Sequence, residues 1–302
     1  MNTTQNKKIV VTGGAGFIGT HLVKALIERG YTVSIIDSLV TGKRENIPGG
    51  VELIVADVRD RSALEKMLAG ADGVVHLAAQ ISVPKSIEDP EYTHAVNEGG
   101  ARNVFELAHE AKVKRLVYAS SAAVYGDDPD MPKREESPKK PQSPYAESKL
   151  ANEADAARLA RIGLSSIGLR FFNVYGPGQI AGKGYASVIP RFIENAKANK
   201  PLPLTADPLS TRDFVHVRDV AQAIIKALES DVVGVFNIAS GIEISLQELI
   251  DTIHSVVPVE VLQLPLRPGD IFRSVADVSR ARSMLGWIAT ISFKEGIAEL
   301  LV

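Results

Sequence analysis

Two patterns of hydrophobic and polar positions alternate along the chain up to about residue 172. Short apolar runs rich in Ile, Val and Leu recur as KKIVVTG, YTVSIID, VELIVAD, GVVHLAA, KRLVYAS and SSIGLRF. Most are apolar on both faces, which is typical of parallel strands covered by helices on both sides. Amphipathic stretches separate them. In FIGTHLVKALIERG the residues Ile18, Leu22, Ala25 and Leu26 form one apolar stripe, and Gly30 suits the end of the helix. The alternation predicts an α/β fold with a doubly wound parallel sheet and right-handed crossovers.

The pattern loosens beyond Phe172. A glycine-rich segment, NVYGPGQIAGKG, and a proline-rich segment, KPLPLTADPL, flank one predicted short helix at about 187–198. DFVHV and GVFNIAS indicate further strands, with a helix over Val220–Leu228 between them and Asp219 as its cap. A serine three residues before a glutamate in SLQE predicts a capping box ahead of LIDTIHSVV.

These patterns predict two domains. The first covers residues 1–173, and the chain returns to it at about 212–239. The second is smaller, of α+β type, and covers 174–302, mainly 174–211 and 240–302. The charged, proline-rich segment DDPDMPKREESPKKPQSP indicates a solvated loop that could also cover a site between the domains.

Composition and charge exclude several classes of function. The formal net charge of −2 gives no basic bias toward nucleic acid or an anionic membrane, and the chain has no cysteine for disulfides or thiolate metal sites. The polar start MNTTQNKK is not a signal peptide, and no apolar run reaches the ~20 residues of a membrane helix. The six histidines are scattered without metal-ligand spacing, so we expect no metal. A soluble cytoplasmic protein is the simplest expectation.

A glycine-rich turn provides the first candidate site. Gly13, Gly16 and Gly19 follow a predicted strand and open a predicted helix. Glycines there permit a tight turn and let backbone N–H groups approach a pyrophosphate at the helix N-terminus. Asp37 ends the next strand, where a carboxylate accepts hydrogen bonds from adenosine ribose hydroxyls and repels a 2′-phosphate. The sequence therefore predicts a dinucleotide site that prefers NAD to NADP.

Further cofactor candidates lie in the same turn and after the third and fourth strands. Asp57 is expected near the adenine, although it could be only a loop cap. His76 lies inside an apolar strand and is interpreted as a core histidine. The remaining candidates are Phe17, Ile18, Val58, Leu77, Ala78 and Ala79.

Tyr145 and Lys149 stand one helical turn apart in SPYAESK, where Ser143 and Pro144 suit the start of a helix. Residues at this spacing share one face, with Cα atoms about 6 Å apart along the axis. A cation held there favours the phenolate, so the tyrosine can remove an alcohol proton near neutral pH. With a nicotinamide to take the hydride, these are the parts of an alcohol oxidation.

The order of glycine turn, Ser121 and YxxxK resembles the short-chain dehydrogenase/reductase superfamily. TGGAGFIG, AAVYG after the serine and the late RPGD resemble its extended branch of nucleotide-sugar epimerases and dehydratases, and the resemblance covers essentially the whole chain. It implies that residues 1–173 form an NAD-binding Rossmann domain and that residues 174–302 bind a nucleoside-diphosphate sugar.

The resemblance also implies roles for individual residues. Tyr145 corresponds to the base, Lys149 to the residue that lowers its pKa and binds the nicotinamide ribose, and Ser121 to a hydroxyl that bonds the substrate O4. Related 4,6-dehydratases carry an Asp-Glu pair just after the serine, where this chain has Ala122 and Ala123. Elimination is therefore disfavoured, and 4-epimerisation by transient oxidation at C4 is expected.

Substrate contacts follow from the same resemblance. Asn173 corresponds to a diphosphate or sugar contact. Arg212 and Arg267 correspond to diphosphate clamps, although surface ion pairs are an alternative for both. The remaining candidates are Asp270 for the uridine ribose, Val188 and Ile189 for the uracil pocket, and Ser274, which leaves room for an acetamido group.

The expected activity is 4-epimerisation of a UDP-hexose, with UDP-GlcNAc/UDP-GalNAc preferred. Alternatives within the family are a UDP-glucose/UDP-galactose 4-epimerase and a UDP-glucuronate-type epimerase or decarboxylase. A non-catalytic NAD-binding module is the alternative from another class. The resemblance also implies a homodimer, in which the helix after the SAAVYG loop and the helix Val96–Ala111 pair with their copies. The small residues Ala151, Ala154 and Ala157 permit such close approach. Those alanines could equally pack internally.

Overall fold

The chain alternates strands and helices as the hydrophobic pattern predicts. The structure, a computed structural model, describes residues 7–181, 187–265 and 272–302. Its strands are β1 (Lys8–Thr12), β2 (Thr32–Asp37), β3 (Glu52–Val55), β4 (Gly73–His76), β5 (Arg115–Ser121), β6 (Ser166–Phe171), β7 (Asn173–Tyr175), β8 (Leu202–Leu204), β9 (Thr211–Arg212), β10 (Phe214–His216), β11 (Gly234–Ile238), β12 (Ile244–Ser245) and β13 (Val261–Gln263). Its α-helices are α1 (Phe17–Glu28), α2 (Arg61–Leu68), α3 (Val83–Glu88), α4 (Pro90–His94), α5 (Ala101–Glu110), α6 (Pro144–Ala160), α7 (Val188–Lys197), α8 (Val217–Glu229), α9 (Leu246–His254), α10 (Ser279–Leu285) and α11 (Phe293–Leu301).

The main sheet has seven parallel strands in the order β11-β6-β5-β4-β1-β2-β3. The direction of winding reverses between β1 and β4. In open α/β sheets, ligands bind in the crevice outside the carboxyl ends of the strands at this switch point. The doubly wound α/β prediction is confirmed, and the topology already places a site at one edge of the sheet.

Each face of the sheet has its own apolar core. On one face, Ile9 and Val11 pack with α1 and α8. On the other face, Val10 and Val74 pack with α2, α5 and α6, where Phe105 is fully buried. Adjacent residues of β1 thus serve opposite cores, which explains why this strand is apolar on both sides.

The second domain has a separate core, formed by α7, α9, α11 and the short strand β8. Phe192, Leu202, Leu249 and Ile297 are among its buried residues. The predicted helix at about 187–198 is present as α7, and the capping box is present with Ser245 at the start of α9. The prediction of a smaller α+β domain is confirmed.

Two details differ from the sequence predictions. The helix expected to follow an Asp219 cap begins three residues earlier, and its cap is His216, whose Nδ1 accepts a hydrogen bond from the Arg218 N–H at 3.3 Å. The Asp219 prediction was wrong because that carboxylate accepts long-range bonds from Thr290 Oγ1 and Ile291 N instead. Of the two returning strands, β11 joins the main sheet, whereas β10 pairs with the unpredicted β7.

No helix within the described residues is long and apolar enough to cross a bilayer.

Candidate active site

One cavity of about 890 Å³ lies at the carboxyl ends of the strands and extends to the second domain. Every candidate site residue within the described ranges lines it. They are Gly13, Gly16, Phe17, Ile18, Gly19, Asp37, Asp57, Val58, Leu77, Ala78, Ala79, Ser121, Tyr145, Lys149, Asn173, Val188, Ile189, Arg212 and Ser274. Arg267 and Asp270 lie outside the described residues. Tertiary folding thus brings residues from both ends of the chain to one site.

The glycine turn is closely packed. Gly13 has a φ of +73°, and a Cβ there would lie 2.7 Å from the Ala78 backbone nitrogen. A Cβ on Gly19, in the first turn of α1, would collide with the Gly13 carbonyl oxygen. Gly16 stands at the helix N-cap in extended conformation. The turn therefore needs glycine at Gly13 and Gly19, and it presents a helix N-terminus to the cavity.

Asp37 is held at the end of β2. It is 7% exposed, and its carboxylate accepts hydrogen bonds from Ala15 N at 2.9 Å and Leu39 N at 2.8 Å. These bonds orient the carboxylate beside the glycine turn. A fixed negative charge there suits neutral ribose hydroxyls and opposes a phosphate.

Asp57 and Val58 follow β3 at the same end of the cavity. Both carboxylate oxygens of Asp57 accept bonds from the Arg59 side chain at 2.9 Å, and this pairing lowers the pKa of Asp57. The Arg59 guanidinium also lies 5.3 Å from the centre of the Tyr92 ring. Asp57 therefore has an ion-pair partner that the sequence did not reveal.

The carboxyl end of β4 supplies the next part of the wall. Leu77 N donates to Thr12 O at 3.0 Å, which holds the segment Leu77–Ala79 against the glycine turn. His76 is buried with Nδ1 2.8 Å from Thr12 Oγ1, and burial lowers its pKa to about 3. Its Nε2 has no hydrogen-bond partner among the described residues. His76 is a neutral core residue, as interpreted from the sequence, but only one ring nitrogen is bonded.

The tyrosine and lysine lie on α6, which begins as predicted: Ser143 Oγ accepts a bond from Ala146 N at 3.2 Å, and Pro144 occupies the first position. Lys149 is 2% exposed, and its Nζ lies 5.9 Å from the centre of the Tyr145 ring and donates to Ala119 O at 3.0 Å. The helix therefore places the phenol and the ammonium together beside β5.

The electrostatics of this group differ from the sequence expectation. Burial raises the pKa of Tyr145, and a hydrogen bond with the Ser121 hydroxyl partly opposes that rise. Burial also lowers the pKa of Lys149 to about 8. In the protein alone, removal of the phenol from water outweighs its hydrogen bond with Ser121, so the pKa of Tyr145 shifts upward and the spacing to Lys149 does not by itself produce a phenolate.

The wall on the second-domain side of the cavity comes from several segments. Asn173 donates from Nδ2 to Asp213 O at 3.1 Å, and Arg212 donates from Nη1 to Thr211 O at 2.8 Å. Val188 and Ile189 form the first turn of α7 at the cavity. Ser274, partly exposed, completes this wall from the far end of the chain.

Sequence reasoning missed several wall residues. Gln80 lines the cavity, and its backbone N–H donates to Asn97 Oδ1 at 2.7 Å. Extending the β4 segment by one residue would have found it. Lys133 also lines the cavity but is 3% exposed and donates from Nζ to Asp128 Oδ1 at 3.1 Å. Its loop has no periodic pattern, so no local signal marks it.

A doubly wound sheet with a glycine turn at its switch point, and a serine, tyrosine and lysine on the neighbouring strand and helix, defines a nicotinamide-dependent enzyme of the short-chain dehydrogenase/reductase class. The model of the NAD dependent epimerase/dehydratase family matches residues 9–239. The chain belongs to that family, and its cofactor is NAD.

Individual relatives agree with this assignment. A Methanocaldococcus jannaschii protein provisionally named a UDP-glucose 4-epimerase is 40% identical over 300 residues, which cover 97% of each chain. The structure of a UDP-N-acetylglucosamine 4-epimerase from Methanobrevibacter ruminantium in complex with UDP-N-acetylmuramic acid has a TM-score of 0.95 and 37% identity, and covers 98% of this chain and 97% of that one. A Thermus thermophilus UDP-glucose 4-epimerase in complex with NAD has a TM-score of 0.90 and 38% identity, with 97% of each chain covered.

Proposed function

We propose that this protein is a UDP-hexose 4-epimerase that prefers UDP-GlcNAc/UDP-GalNAc, and that the cavity-lining candidates have the roles given above. One observation carries the proposal: Ser121, Tyr145 and Lys149 meet where the cofactor end of the cavity joins the wall of the second domain. The division into an NAD-binding part, 1–173, and a sugar-binding part, 174–302, belongs to the same proposal.

The residues of the cofactor end suit NAD. The glycine turn and the N-terminus of α1 line the cavity, where backbone N–H groups can bind a pyrophosphate, and Asp37 lines it beside them, where its carboxylate can bind a ribose. Lys149 has further N–H donors beyond the one used on Ala119 O, and these can hold ribose hydroxyls. The chemistry that NAD supplies when bound is reversible hydride exchange with C4 of the sugar.

The proton chemistry belongs to the protein. Tyr145 takes the proton from the substrate O4 as C4 is oxidised, and returns it when C4 is reduced. Ser121 bonds Tyr145 and can hold O4 in line with it. Binding of a cationic nicotinamide near Tyr145 would favour its phenolate, which opposes the effect of burial. Rotation of the 4-keto sugar between the two steps inverts the configuration at C4.

The turn after Ser121 supports epimerisation over elimination. Ala122 and Ala123 begin a short helical turn, and both line the cavity. Neither side chain can move a proton at C5 or C6. The Ser121–Tyr145 pair can therefore act on O4, while the adjacent positions offer no acid or base for dehydration.

The preference for an N-acetylated sugar depends on Ser274. This small side chain lines the sugar-facing wall, and a structural relative at 37% identity is named a UDP-N-acetylglucosamine 4-epimerase. UDP-glucose is the second candidate substrate, because other relatives carry the name UDP-glucose 4-epimerase.

The proposal is tested by turnover of UDP-GlcNAc, UDP-glucose and UDP-glucuronate without added cofactor, with Tyr145→Phe as the inactive control. We expect conversion of UDP-GlcNAc at least as efficient as that of UDP-glucose. Conversion of UDP-glucose alone would favour the second candidate. No conversion of any UDP-sugar by protein shown to contain NAD would refute the epimerase proposal.

We also propose a homodimer through α5 and α6. Ala154 and Ala157 of α6 are exposed in the single chain, and Ala151 is partly exposed, so they are available for close helix contact. Light scattering at micromolar concentration should give twice the mass of one chain. A monomeric mass would contradict the proposal.

A further inference from the structure

Arg170 and Glu153 form a buried ion pair behind the catalytic group. Arg170, on β6, is 3% exposed, and its Nε and Nη2 donate to the two carboxylate oxygens of Glu153 at 2.8 and 2.7 Å. Glu153 stands one turn beyond Lys149 on α6 and also accepts a bond from Ser120 Oγ at 2.6 Å. Ser120 directly precedes Ser121 on β5. The pair therefore joins the helix of the lysine to the strand of the serine.

The same guanidinium reaches the loop that precedes α6. Its Nη1 donates to Tyr125 Oη and to the Glu135 backbone oxygen, both at 2.8 Å. Tyr125 Oη donates in turn to Asn237 Oδ1 at 2.6 Å, and Asn237 Nδ2 donates to Lys133 O at 2.9 Å. One network thus continues from Arg170 to the segment at Lys133, which lines the cavity.

This segment is hydrogen-bonded to the residues that follow Ser274, the residue proposed to act as a gate that selects sugars by size. Lys133 N donates to Val275 O, and Asp277 N donates to Lys133 O, both at 2.8 Å. Ser274 immediately precedes Val275 and lines the same cavity. The contacts of Arg170 therefore connect the helix and strand of the reacting group to the wall that faces the sugar.

Stability alone does not account for a charged group at this position. Burying an ion pair removes two charges from water, and well-packed apolar residues often stabilise a protein as well or better. A guanidinium also fixes the relative positions of its partners, because its rigid, planar fork donates to several acceptors at fixed angles. Here its acceptors belong to α6, to the turn after Ser121 and to the cavity loop.

We propose that Arg170 is a positioning residue of the reaction: through Glu153, Tyr125 and Glu135 it fixes the Tyr145–Lys149 helix relative to the loop wall that faces the sugar. The inference rests on the proposed function. Misplacement of reacting groups by about 1 Å can cost ~10²-fold in rate, so distant residues that set this geometry affect turnover.

The test compares Arg170→Lys with a matched control, Arg115→Lys. Lysine keeps a charge for Glu153 but lacks the fork that reaches Tyr125 and Glu135. Arg115 is also buried, at 5% exposed, and donates to Ala227 O, Ser165 Oγ and Val232 O at the opposite end of the sheet. Both substitutions should lower the melting temperature. Only Arg170→Lys should lower kcat, by at least ~10-fold, with KM for the UDP-sugar within ~3-fold.

A second readout follows the ionisation of Tyr145 directly. A loosened α6 weakens the interaction of Tyr145 with the groups that favour its phenolate, so its pKa should rise in Arg170→Lys. The near-ultraviolet phenolate absorbance of NAD-loaded protein, taken as the difference from Tyr145→Phe in the same background, measures this without any substrate. This measurement also separates failure of the positioning proposal from failure of the proposed epimerase function.

A third variant covers the case in which Arg170→Lys does not fold. Tyr125→Phe keeps the ring and removes the hydroxyl that links Arg170 to Asn237. It should lower kcat by at least ~3-fold and raise the pKa of Tyr145, in the same direction as the lysine variant. If every variant that folds matches Arg115→Lys in kcat and in Tyr145 ionisation, Arg170 has only a structural role and the proposal is overturned.

Discussion

The two ends of the cavity are built in different ways. The cofactor end consists of strand ends and a helix N-terminus from consecutive β-α-β units, with Gly13 and Asp37 held by backbone bonds. The other end, which we propose binds the sugar, consists of α7, short strands and a loop wall. This wall contains Lys133 and Ser274 and is held by side-chain and long-range backbone bonds. Under the proposed function, the chemistry common to the class lies on the rigid sheet, and substrate choice lies on segments that can vary without disturbing the sheet.

Tyr145→Phe tests the junction between the two ends and has the largest expected effect. Loss of the base should reduce turnover of UDP-GlcNAc and UDP-glucose by a similar ~10²- to 10⁴-fold factor, because O4 is common to both sugars. NAD released on denaturation should equal the wild-type amount. Tyr31→Phe, at a tyrosine that bonds Glu229 away from the cavity, is the matched control. Near-normal turnover in Tyr145→Phe would rule out the assigned base.

Ser274→Tyr tests the sugar end alone. The ring should occupy the space of an acetamido group, so UDP-GlcNAc turnover should fall at least ~10²-fold relative to UDP-glucose, more than a missing methylene would cost. NAD content should stay unchanged, because Ser274 belongs to the opposite wall. Ser274→Ala adds no bulk and should leave the ratio of the two sugars near the wild-type value. Equal losses on both sugars in Ser274→Tyr would show that this residue is not the gate.

Asp37→Asn tests the cofactor end alone. Loss of the charge weakens bonds to ribose hydroxyls and removes repulsion of a 2′-phosphate, so the preference for NAD over NADP should fall ~10- to 100-fold. Equilibrium titration of cofactor-stripped protein measures both affinities. Asp72→Asn is the control, because that carboxylate is paired with Lys114 and does not line the cavity. A changed ratio of sugar substrates in Asp37→Asn would contradict the separation of the two ends.

The smallest expected effect concerns the free energy of unfolding and comes from His76, which is buried beneath the cofactor end. Burial lowers its folded-state pKa from 6.5 to about 3, so the unfolded chain binds a proton that the folded chain does not. Its contribution to stability is present above pH 6.5 and is lost as the pH falls from 6.5 toward about 3, by at most ~1.4 kcal/mol per pH unit. Urea unfolding across that range measures the slope.

The variant His76→Asn isolates this histidine, since an asparagine does not titrate and can still bond Thr12 Oγ1. It should give a shallower loss of stability on acidification than the wild type. An unchanged slope would assign the acid sensitivity to other groups, such as His216, whose pKa burial lowers to about 4.

Local features explain why much of the fold and the cofactor end could be read from the sequence alone. Strand and helix periodicity, the capping residue Ser143 and the spacing from Tyr145 to Lys149 are all expressed within a few consecutive residues. The glycine turn is also local, because its backbone conformation and the following helix N-terminus occur in one short segment. The sequence by itself therefore determined the doubly wound sheet, the dinucleotide turn and the tyrosine–lysine pair.

Only the tertiary structure decided which distant groups meet. The contact of Arg59 with Tyr92, the bonds that hold Asp219 and the network around Arg170 depend on contacts between separate elements. Burial likewise set the pKa values of Tyr145 and Lys149 against the expectation from their spacing alone. Such contacts leave no periodic trace in the chain, because their geometry arises when the sheet, the helices and the loops pack together.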